Sequence, residues 1–505
     1  MTPVRDAPVA VSLAWLLAGL VECPEAPAAK IRGLCHDSRA VRPGDLFFAF
    51  AGSRSHGMSH VGEAIAKGAC AILYDPAQGG EALAHEASGA PCLPVAGLSR
   101  KAGLLADRFF GEPSKHLDVI GITGTNGKTS CSHFLAHALG NHPPAAVIGT
   151  LGWGLPEALQ PSAHTTPDAL EVHALLARLR DRGIGTVAME ASSHGLVQGR
   201  LNGVRFRGGL FTNLSRDHLD YHGTMEAYLE AKLRLLTWPG LEFVAFNLDD
   251  PSAQAITGRA PAGIRKIGFT LCGTAAVGAD IELVSASEIR HVGEGVAFLA
   301  RFGQASAPVA APVYGDFNVE NLLASLAVLL AKGHDLEDAA CRLAQVRAVA
   351  GRMERFARAG GATVVVDYAH TPDALAKTLT SLRRHCEGAL WVVFGCGGNR
   401  DRGKRPQMGA IAEKLADRVV VTDDNPRHED GDAIVAEILS GCRRQDVTVK
   451  RDRRAAIAFA IEHAAAGDVV LVAGKGHEST QDIGGIKHPF SDRDVIKSLL
   501  CSRVG

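Results

Sequence analysis

The stretch VIGITGTNGKTS, residues 119–130, decides how the chain is organised. Its first half is apolar and predicts a buried strand, and the apolar periodicity that follows it predicts a helix. Between the two, Gly124 and Gly127 allow a tight loop whose backbone N–H groups point at an anion near the helix N-terminus. Lys128 can reach the β- and γ-phosphates of a nucleotide, and Thr129 can hold Mg²⁺. The stretch therefore predicts a phosphate-binding P-loop.

The spacing departs from the common P-loop, because Ile122 stands where the first glycine of G-x-x-x-x-G-K-T is expected. The alternative is an ordinary strand, turn and helix with an incidental Gly-Lys-Thr. We favour the phosphate loop because the signals for strand, loop and helix all agree.

Length and composition describe a multidomain globular protein. With 505 residues the chain is too long for one core, and about three domains are expected. The net charge of −1 indicates neither a nucleic-acid-binding surface nor a polybasic membrane anchor. The 11 cysteines are scattered without C-x-x-C pairs, which favours reduced thiols in a cytoplasmic protein over a disulfide framework or a zinc site.

The apolar segment 7–21 follows Arg5 and permits two interpretations. A signal peptide is one, but Asp6 lies in what would be its basic region, and an ATP site belongs in the cytosol. We therefore expect a buried N-terminal helix over 11–20, which is too short to span a bilayer.

Alternating strand and helix signals predict three α/β domains, with boundaries at 1–98, 99–347 and 348–505. The first is small, and the second contains the P-loop and a mostly parallel sheet. In the second, segment 260–312 has short strand-like runs that suggest an antiparallel edge, and a long apolar helix is expected over 322–330. The third shows a repeated strand, polar loop and helix, which predicts a Rossmann-like, doubly wound sheet.

Polar clusters in the second domain lie at predicted strand ends and helix starts, in segments 162–168, 190–195 and 213–220. Open α/β sheets bind ligands at the carboxyl ends of their strands, although such residues also cap helices. Three clusters after a phosphate loop favour a ligand site. Glu190 is a candidate Mg²⁺ ligand because Mg²⁺ prefers hard oxygen atoms.

The motifs TGTNGKT, MEASSHGL, FTNLSRDHLDYHG, GDFNVENLLA, GRME and DYAHTPDAL, taken in order, resemble those of the Mur ligases. These are ATP-dependent amide-forming enzymes of peptidoglycan synthesis. The resemblance runs over essentially the whole chain, and TGTNGKT is the family's own loop variant, which explains the missing glycine. HDSR, HTTPD, LVQGR, GCGGNRDRGKRP, DDNPR and AGKGHE resemble the branch that adds diaminopimelate as the third residue of the peptide.

The resemblance implies ATP, Mg²⁺, UDP-N-acetylmuramoyl-L-alanyl-D-glutamate and meso-diaminopimelate as cofactor and substrates. It implies a cytoplasmic monomer without nucleic acid or stable membrane association. The substrate carboxylate would be phosphorylated, and the acyl phosphate would then react with the amine. The third domain would close over the second and exclude water.

The resemblance also implies the residues of four sites. The nucleotide would contact Gly124, Thr125, Asn126, Gly127, Lys128, Thr129, Ser130, Asn318, Asn321, Arg352 and Asp367. Catalysis would depend on Lys128, Glu190, His218 and Lys232. Metal ions would be held by Thr129, Glu190, His218 and Lys232, the last as a carbamate.

The nucleotide-sugar peptide would contact His36, Ser38, Ser53, Arg54, Ser55, His164, Thr165, Thr166, Ser192, Gln198 and Arg200. Diaminopimelate would contact Arg400, Asp424, Asn425, Pro426, Arg427, Gly474 and Glu478.

Arg427 carries the substrate assignment. Diaminopimelate differs from lysine by one distal carboxylate, so a pocket that selects it needs a cation. In diaminopimelate-adding relatives an arginine stands at this position, and a buried arginine without its carboxylate would reject lysine.

Three alternatives are open at this point: the lysine-adding branch of the same family, a folylpolyglutamate synthase-like ligase, and a nucleotide-dependent switch or binding protein. The second is disfavoured because it has no comparable domain before the P-loop. The third is disfavoured by the many polar strand ends across three domains.

Overall fold

The computed structural model describes residues 10–23, 27–52, 55–85, 87–140, 143–273, 278–292, 295–358, 360–444 and 446–501. Ser53 and Arg54, which are predicted to bind the nucleotide sugar, lie outside these ranges. The described chain forms three α/β units, each built on its own sheet. The predicted fold class is confirmed.

The first unit contains a four-stranded parallel sheet in the order β3-β4-β5-β6 and a short antiparallel pair, β1-β2. Its strands are β1 (Val11–Ser12), β2 (Lys30–Ile31), β3 (Gly33–Cys35), β4 (Asp45–Ala49), β5 (Ala71–Tyr74) and β6 (Cys92–Pro94). Its helices are α1 (Leu13–Leu17), α2 (Val61–Ala66), α3 (Gly80–His85) and α4 (Leu98–Phe109).

The N-terminal helix predicted over 11–20 is wrong in extent, because α1 has only five residues. Val11 instead pairs with Ile31 in a strand, and the Ser12 side chain caps the helix by accepting from the N–H of Trp15. Apolar residues alone did not distinguish the strand from the helix. The predicted boundary at residues 98 and 99 stays a prediction. Helix α4, which follows it, packs into the core of the first unit.

The second unit is a ten-stranded sheet in the order β16-β15-β14-β13-β12-β11-β7-β10-β8-β9. Its strands are β7 (Asp118–Thr123), β8 (Ala145–Gly149), β9 (Gly152–Gly154), β10 (Thr186–Glu190), β11 (Phe206–Phe211), β12 (Phe243–Asn247), β13 (Arg265–Thr270), β14 (Ile281–Val292), β15 (Gly295–Phe302) and β16 (Ala305–Ala311). Its helices are α5 (Lys128–Leu139), α6 (Ala169–Asp181), α7 (Ser193–Val197), α8 (Leu219–His222), α9 (Met225–Leu233), α10 (Ala253–Arg259), α11 (Asp316–Ala331) and α12 (Leu336–Leu343).

The predicted edge of this sheet is confirmed for its last strands. β14, β15 and β16 form an antiparallel meander, whereas β13 still pairs in parallel with β12 and β14. Apolar residues of α5 and α11 pack on one face of the sheet, which fixes the direction of the helix that follows the glycine loop.

The third unit is a six-stranded sheet in the order β17-β18-β22-β19-β20-β21, parallel except for β17. The strands are β17 (Glu354–Ala357), β18 (Thr363–Asp367), β19 (Leu390–Phe394), β20 (Arg418–Val421), β21 (Thr448–Val449), β22 (Val469–Ala473), β23 (Thr480–Ile483) and β24 (Ile486–Pro489), the last two forming a separate hairpin. The helices are α13 (Pro372–Arg383), α14 (Lys404–Leu415), α15 (Gly431–Leu439), α16 (Arg453–His463) and α17 (Asp492–Cys501). Separate apolar clusters cover the two faces, as the doubly wound prediction requires.

Two further features bear on the expectations from composition. All eleven cysteines are free thiols. Within the described ranges, no helix combines the length and the apolar character that crossing a membrane requires.

Candidate active site

The glycine loop has the predicted shape, with β7 ending at Thr123 and α5 beginning at Lys128. Gly124 and Gly127 have φ angles of 142° and 87°. A Cβ atom would lie 1.9 Å from Thr212 Oγ1 at Gly124, and 2.5 Å from Asn321 Oδ1 at Gly127. Both positions therefore require glycine, for conformation and for space.

Two lysines converge on one carbonyl of this loop. Lys128 Nζ and Lys232 Nζ donate to Gly124 O at 2.8 Å and 2.7 Å. Lys232 is 3% exposed, and its Nζ lies 4.2 Å from the centre of the Tyr228 ring. Burial, and then the charge of Lys128, hold the pKa of Lys232 well below its ordinary value, and burial lowers the pKa of Lys128. Lys232 is thus a buried amine that favours its neutral form, and not a solvated surface lysine.

Glu190 lies at the end of β10, next to this loop, and is 1% exposed. Its two carboxylate oxygens accept from the N–H and the hydroxyl of Thr150, at 2.9 Å and 3.0 Å. Its backbone carbonyl accepts from Thr166 Oγ1 at 2.7 Å. The carboxylate is therefore fixed in orientation, and its remaining lone pairs can face a ligand.

His218 begins α8 in a left-handed conformation, with φ of 54°. Its Nε2 lies 3.3 Å from Asp217 Oδ2, and His370 Nε2 of the third unit lies 3.9 Å from the same oxygen. Burial lowers the pKa of His218 to about 3, so its ring is neutral at pH 7. Asp217 therefore joins one histidine from each unit.

The predicted metal ligands do not form a ready cluster. Among the residues that the structure describes, no group of three or more His, Cys, Asp or Glu side chains could hold a metal ion. Thr129 Oγ1 accepts from Arg352 Nη2 at 3.2 Å, and Lys232 Nζ contacts a carbonyl. The oxygen donors are present, and the lysine would become one only as a carbamate.

A small cavity of about 60 Å³ lies between the second and third units, beside the glycine loop. Of the residues predicted to bind nucleotide, it is lined by Asn126, Gly127, Ser130, Asn321, Arg352 and Asp367.

The two predicted nucleotide residues that the third unit contributes to this cavity are held by defined contacts. Arg352 places its guanidinium 4.4 Å from the centre of the Tyr368 ring. Asp367 accepts the backbone N–H groups of Met353 and Ala369, each at 2.8 Å, and burial raises its pKa. These contacts fix the two side chains at the junction that the resemblance implied.

The remaining predicted nucleotide residues support this junction from inside. Asn318 donates to Tyr314 O at 2.7 Å and accepts from Asn321 Nδ2 at 3.0 Å. Thr125 Oγ1 lies 3.2 Å from Tyr228 OH, which ties the loop to α9. Asn318 and Thr125 therefore support the walls of the cavity from behind, and Asn321 lines it.

A second cavity, of about 220 Å³, shares the lining residue Tyr368 with the first and is also lined by His218. We call it the amino-acid cavity. Of the residues predicted to bind diaminopimelate, it is lined by Arg400, Asp424, Asn425, Arg427, Gly474 and Glu478. Pro426 is buried and does not line it.

Arg427 is positioned by backbone contacts on both sides. Its φ is 52°, and its backbone N–H donates to Asp482 O of β23 at 2.9 Å. Its Nη1 donates to Gly398 O at 2.8 Å. Glu478, across the cavity wall, accepts from Asn425 Nδ2 at 2.9 Å. The cavity therefore presents arginine and carboxylate groups together, which suits a zwitterion.

Residues predicted to hold the sugar peptide form one hydrogen-bonded network next to Glu190. Thr165 Oγ1 lies 3.0 Å from Thr150 Oγ1, and Thr166 Oγ1 lies 2.9 Å from Ser192 Oγ. Arg200 extends this network through a hydrogen bond to the backbone of Thr166.

Arg200 donates to Thr166 O at 2.8 Å and to Gln198 Oε1 at 2.9 Å, and burial lowers its pKa. His164 lies at the exposed rim, and burial, followed by the charge of Arg200, lowers its pKa. The network thus runs from the surface to the carboxylate of Glu190.

The first unit contributes a more open surface. His36 Nε2 lies 3.9 Å from Asp168 Oδ2 of the second unit, and Ser38 Oγ donates to Glu63 Oε2 at 2.6 Å. Both line an open cavity of about 490 Å³, whereas Ser55 is exposed. The two units therefore meet where a nucleotide sugar is predicted to lie.

Sequence reasoning missed several residues of these cavities. Thr150 carried no signal, because its role depends on where β10 places Glu190. Asp217, His370 and Lys404 line the amino-acid cavity and stand inside quoted motifs, yet only their neighbours were selected. Their polar character at strand ends was the available signal.

The glycine loop and the two cavities that share Tyr368 are the features expected of the ATP-dependent ligases that form amide bonds. The model of the Mur ligase family catalytic domain matches residues 30–109. The models of the Mur ligase middle domain and of the Mur ligase glutamate ligase domain match residues 122–329 and 351–476. The chain belongs to the Mur ligase family.

Three proteins illustrate the range of similarity. The UDP-N-acetylmuramoyl-L-alanyl-D-glutamate–2,6-diaminopimelate ligase of Alkalilimnicola ehrlichii is 46% identical over 499 residues, which is 98% of this chain and 99% of the relative. A solved structure with the same protein name has 35% identity and a TM-score of 0.69, covering 98% of this chain and 100% of that one.

The Mycobacterium tuberculosis folylpolyglutamate synthase, solved with ADP and AMPPCP, has 18% identity and a TM-score of 0.57. The match covers 73% of this chain and 91% of the synthase. This likeness shows a shared fold.

Proposed function

We propose that the protein joins meso-diaminopimelate to UDP-N-acetylmuramoyl-L-alanyl-D-glutamate and converts ATP to ADP and phosphate. The observation that carries this proposal is the amino-acid cavity, which gathers Arg400, Arg427, Asp424 and Glu478 next to His218. The names of the relatives at 46% and 35% identity agree with it.

The chemistry needs an activated acid, because a carboxylate is a poor electrophile. Phosphorylation supplies the activation, and the amine then displaces phosphate from the acyl phosphate. Lys128 lies at the helix start where the transferring phosphoryl group would be, and its charge would offset the charge that develops there. Arg352, next to Thr129, would add a second cation from the third unit.

Mg²⁺ is part of the proposal. Thr129 and Glu190 offer hard oxygen atoms, and His218 offers a neutral ring nitrogen. Lys232 fits the set as a carbamate, because a buried amine in its neutral form can add CO₂. The carbamate would also place a negative charge beside Lys128, where two amines now donate to the same carbonyl of Gly124. When bound, the ion would neutralise phosphate charge.

Substrate placement follows the cavities. The nucleotide would occupy the cavity beside the glycine loop, and the sugar peptide would run from His36 and Ser38 along the Thr166 and Arg200 network. Its terminal carboxylate would then lie near Glu190. The third unit would close over the second, so that the acyl phosphate is shielded from water.

Arg427 would select the distal carboxylate of diaminopimelate. With lysine bound, the guanidinium would lack its charged partner in a partly buried pocket, and the loss of that contact would cost roughly 10- to 150-fold in affinity. Arg400 would form an ion pair with the other carboxylate of diaminopimelate. Glu478 would form one with the amino group at that end of the molecule.

The test is phosphate release by the purified protein with ATP, Mg²⁺ and the dipeptide nucleotide. We expect turnover with meso-diaminopimelate and about 100-fold less with L-lysine, because one charged contact is worth about 1.5–3 kcal/mol. Equal rates would favour the lysine-adding alternative. Turnover with a folate and glutamate, and none with the nucleotide sugar, would favour the synthase-like alternative.

A cytoplasmic location and a monomeric state belong to the same proposal. The free thiols support a reducing compartment. Sedimentation of the purified protein would test the monomer.

A further inference from the structure

We propose that His370 is the catalytic base that takes the proton from the attacking amine. This inference rests on the proposed function, since it assigns a residue to the second half of that reaction. Neither the P-loop nor the predicted metal ligands supply such a base.

His370 is placed where the amine must arrive. It follows β18, lines the amino-acid cavity together with Arg400, Arg427 and Glu478, and has a side chain that is 32% exposed. Its carbonyl accepts from Lys404 Nζ at 2.8 Å, which holds the loop. The ring thus faces the cavity from the same unit that would bind the amino acid.

The tautomer is set by one contact. His370 Nδ1 lies 2.8 Å from Tyr368 O, and a carbonyl oxygen can only accept, so Nδ1 carries the hydrogen. In the neutral ring Nε2 therefore has the free lone pair. Nε2 lies 3.9 Å from Asp217 Oδ2, across the junction between the units. The unprotonated nitrogen and a carboxylate thus both line the cavity, 3.9 Å apart, and would form an ion pair once Nε2 has gained a proton.

Five charged or titratable groups surround this ring: Asp217, Lys404, Arg352, Tyr368 and His477.

Burial, followed by the charge of Lys404, lowers the pKa of His370, so the neutral ring is the main form near pH 7. Asp217 acts in the opposite direction and would stabilise the imidazolium once it has formed. This is the balance that a proton acceptor needs.

The other histidines of the cavity are less suited to this role. His218 directs Nε2 at Asp217 at 3.3 Å and stands at a predicted metal position. His194 stacks at 4.1 Å on Tyr221 and belongs to the second unit. Only His370, among these three, shares a unit with the arginines that would hold the amino acid.

The proton balance is complete. An ammonium group enters and gives one proton to His370 Nε2, and its nitrogen lone pair then forms a bond to the acyl carbon. The tetrahedral intermediate expels the phosphate oxygen with the electrons of the C–O bond. The second proton of the nitrogen leaves with the phosphate, which gives amide, hydrogen phosphate and protonated His370.

The decisive experiment compares two nucleophiles in His370→Gln. Diaminopimelate arrives as an ammonium ion and needs the base, whereas hydroxylamine is largely uncharged at pH 7 and does not. We expect the rate with diaminopimelate to fall about 10²- to 10⁴-fold, while hydroxamate formation changes little. His463→Gln, an exposed histidine on α16, is the matched control and should keep both rates.

The pH profile gives a second readout. In the unaltered enzyme, kcat/KM for diaminopimelate should lose activity on the acid side as His370 gains its proton. In His370→Gln this limb should be replaced by a rate that rises with pH up to the pKa of the substrate amine, because only the free amine formed in solution can then react.

Equal losses with both nucleophiles, or an unchanged acid limb, would overturn the assignment. If the unaltered protein makes no product with diaminopimelate, the proposed function itself fails. If it does and His370→Gln matches it, only the assignment of the base fails.

Discussion

At the nucleotide end of the molecule, one continuous loop supplies the groups that would bind an anion. Lys128 and its neighbours are adjacent in sequence, and their backbone is held by Gly124 and Gly127. At the amino-acid end, Arg400 and Arg427 come from separate loops after β19 and β20, and Glu478 comes from a third loop after β22. Both ends would bind carboxylate or phosphate oxygens, but they are assembled differently.

The amino-acid end is supported by buried ion pairs. Lys475 is fully buried and donates to Glu478 Oε2 at 2.8 Å and to Asn425 Oδ1 at 3.1 Å. Arg453 pairs with Asp492 at 2.7 Å, both fully buried, and donates to Ala473 O at 2.9 Å. Specificity at this end is therefore a property of tertiary structure, and the general chemistry at the other end is local.

If the two ends have separate tasks, replacing a residue at one end should leave the KM for the substrate of the other end unchanged. Lys128→Ala should show the largest effect, because it removes the cation from the transferring phosphoryl group. We expect kcat to fall about 10³-fold or more. The measurement is ADP release, with Lys414→Ala, an exposed lysine of α14, as control. Undiminished turnover would refute the acyl-phosphate scheme.

Arg427→Ala should have the next largest effect, confined to the amino-acid end. Loss of one charged contact predicts an increase of about 100-fold in KM for diaminopimelate, with KM for ATP unchanged. Steady-state kinetics with each substrate varied in turn would measure both, and Arg443→Ala, exposed in the same unit, is the control. Comparable increases in both KM values would contradict the assignment of Arg427 to the amino-acid site. They would also contradict the idea that the two ends have separate tasks.

The same contrast explains how much could be predicted from the sequence. The strand and helix around the glycine loop were predicted correctly because apolar period, glycines and lysine lie within a dozen residues. Four of the five parallel strands of the third unit were also predicted, from their apolar runs and the polar loops that follow them. The family motifs then pointed to the residues of the amino-acid cavity.

What could not be predicted depends on packing between distant segments. The sequence gives no sign that Asp217 and His370 face each other, because they are separated by 153 residues and lie in different units. Nor does it show that Lys232 is buried, since a lysine on a helix is usually solvated. The helix at the N-terminus was predicted too long, and strand β1 was missed, because the apolar run satisfies strand and helix equally.

The variants with the smallest expected effect test the comparison most sharply, because each adds only one methyl group at one end. Gly127→Ala and Gly474→Ala both place a Cβ 2.5 Å from a polar oxygen, that of Asn321 or of Asp424, at φ angles of 87° and 113°. The strain is about 1–3 kcal/mol, so we expect an increase of about tenfold in KM for ATP in the first variant and for diaminopimelate in the second. Gly258→Ala, in α10 with open space around it, is the control. An increase in both KM values in either variant would mean that the two ends are mechanically coupled, and that closure of the third unit, rather than local geometry, controls both affinities.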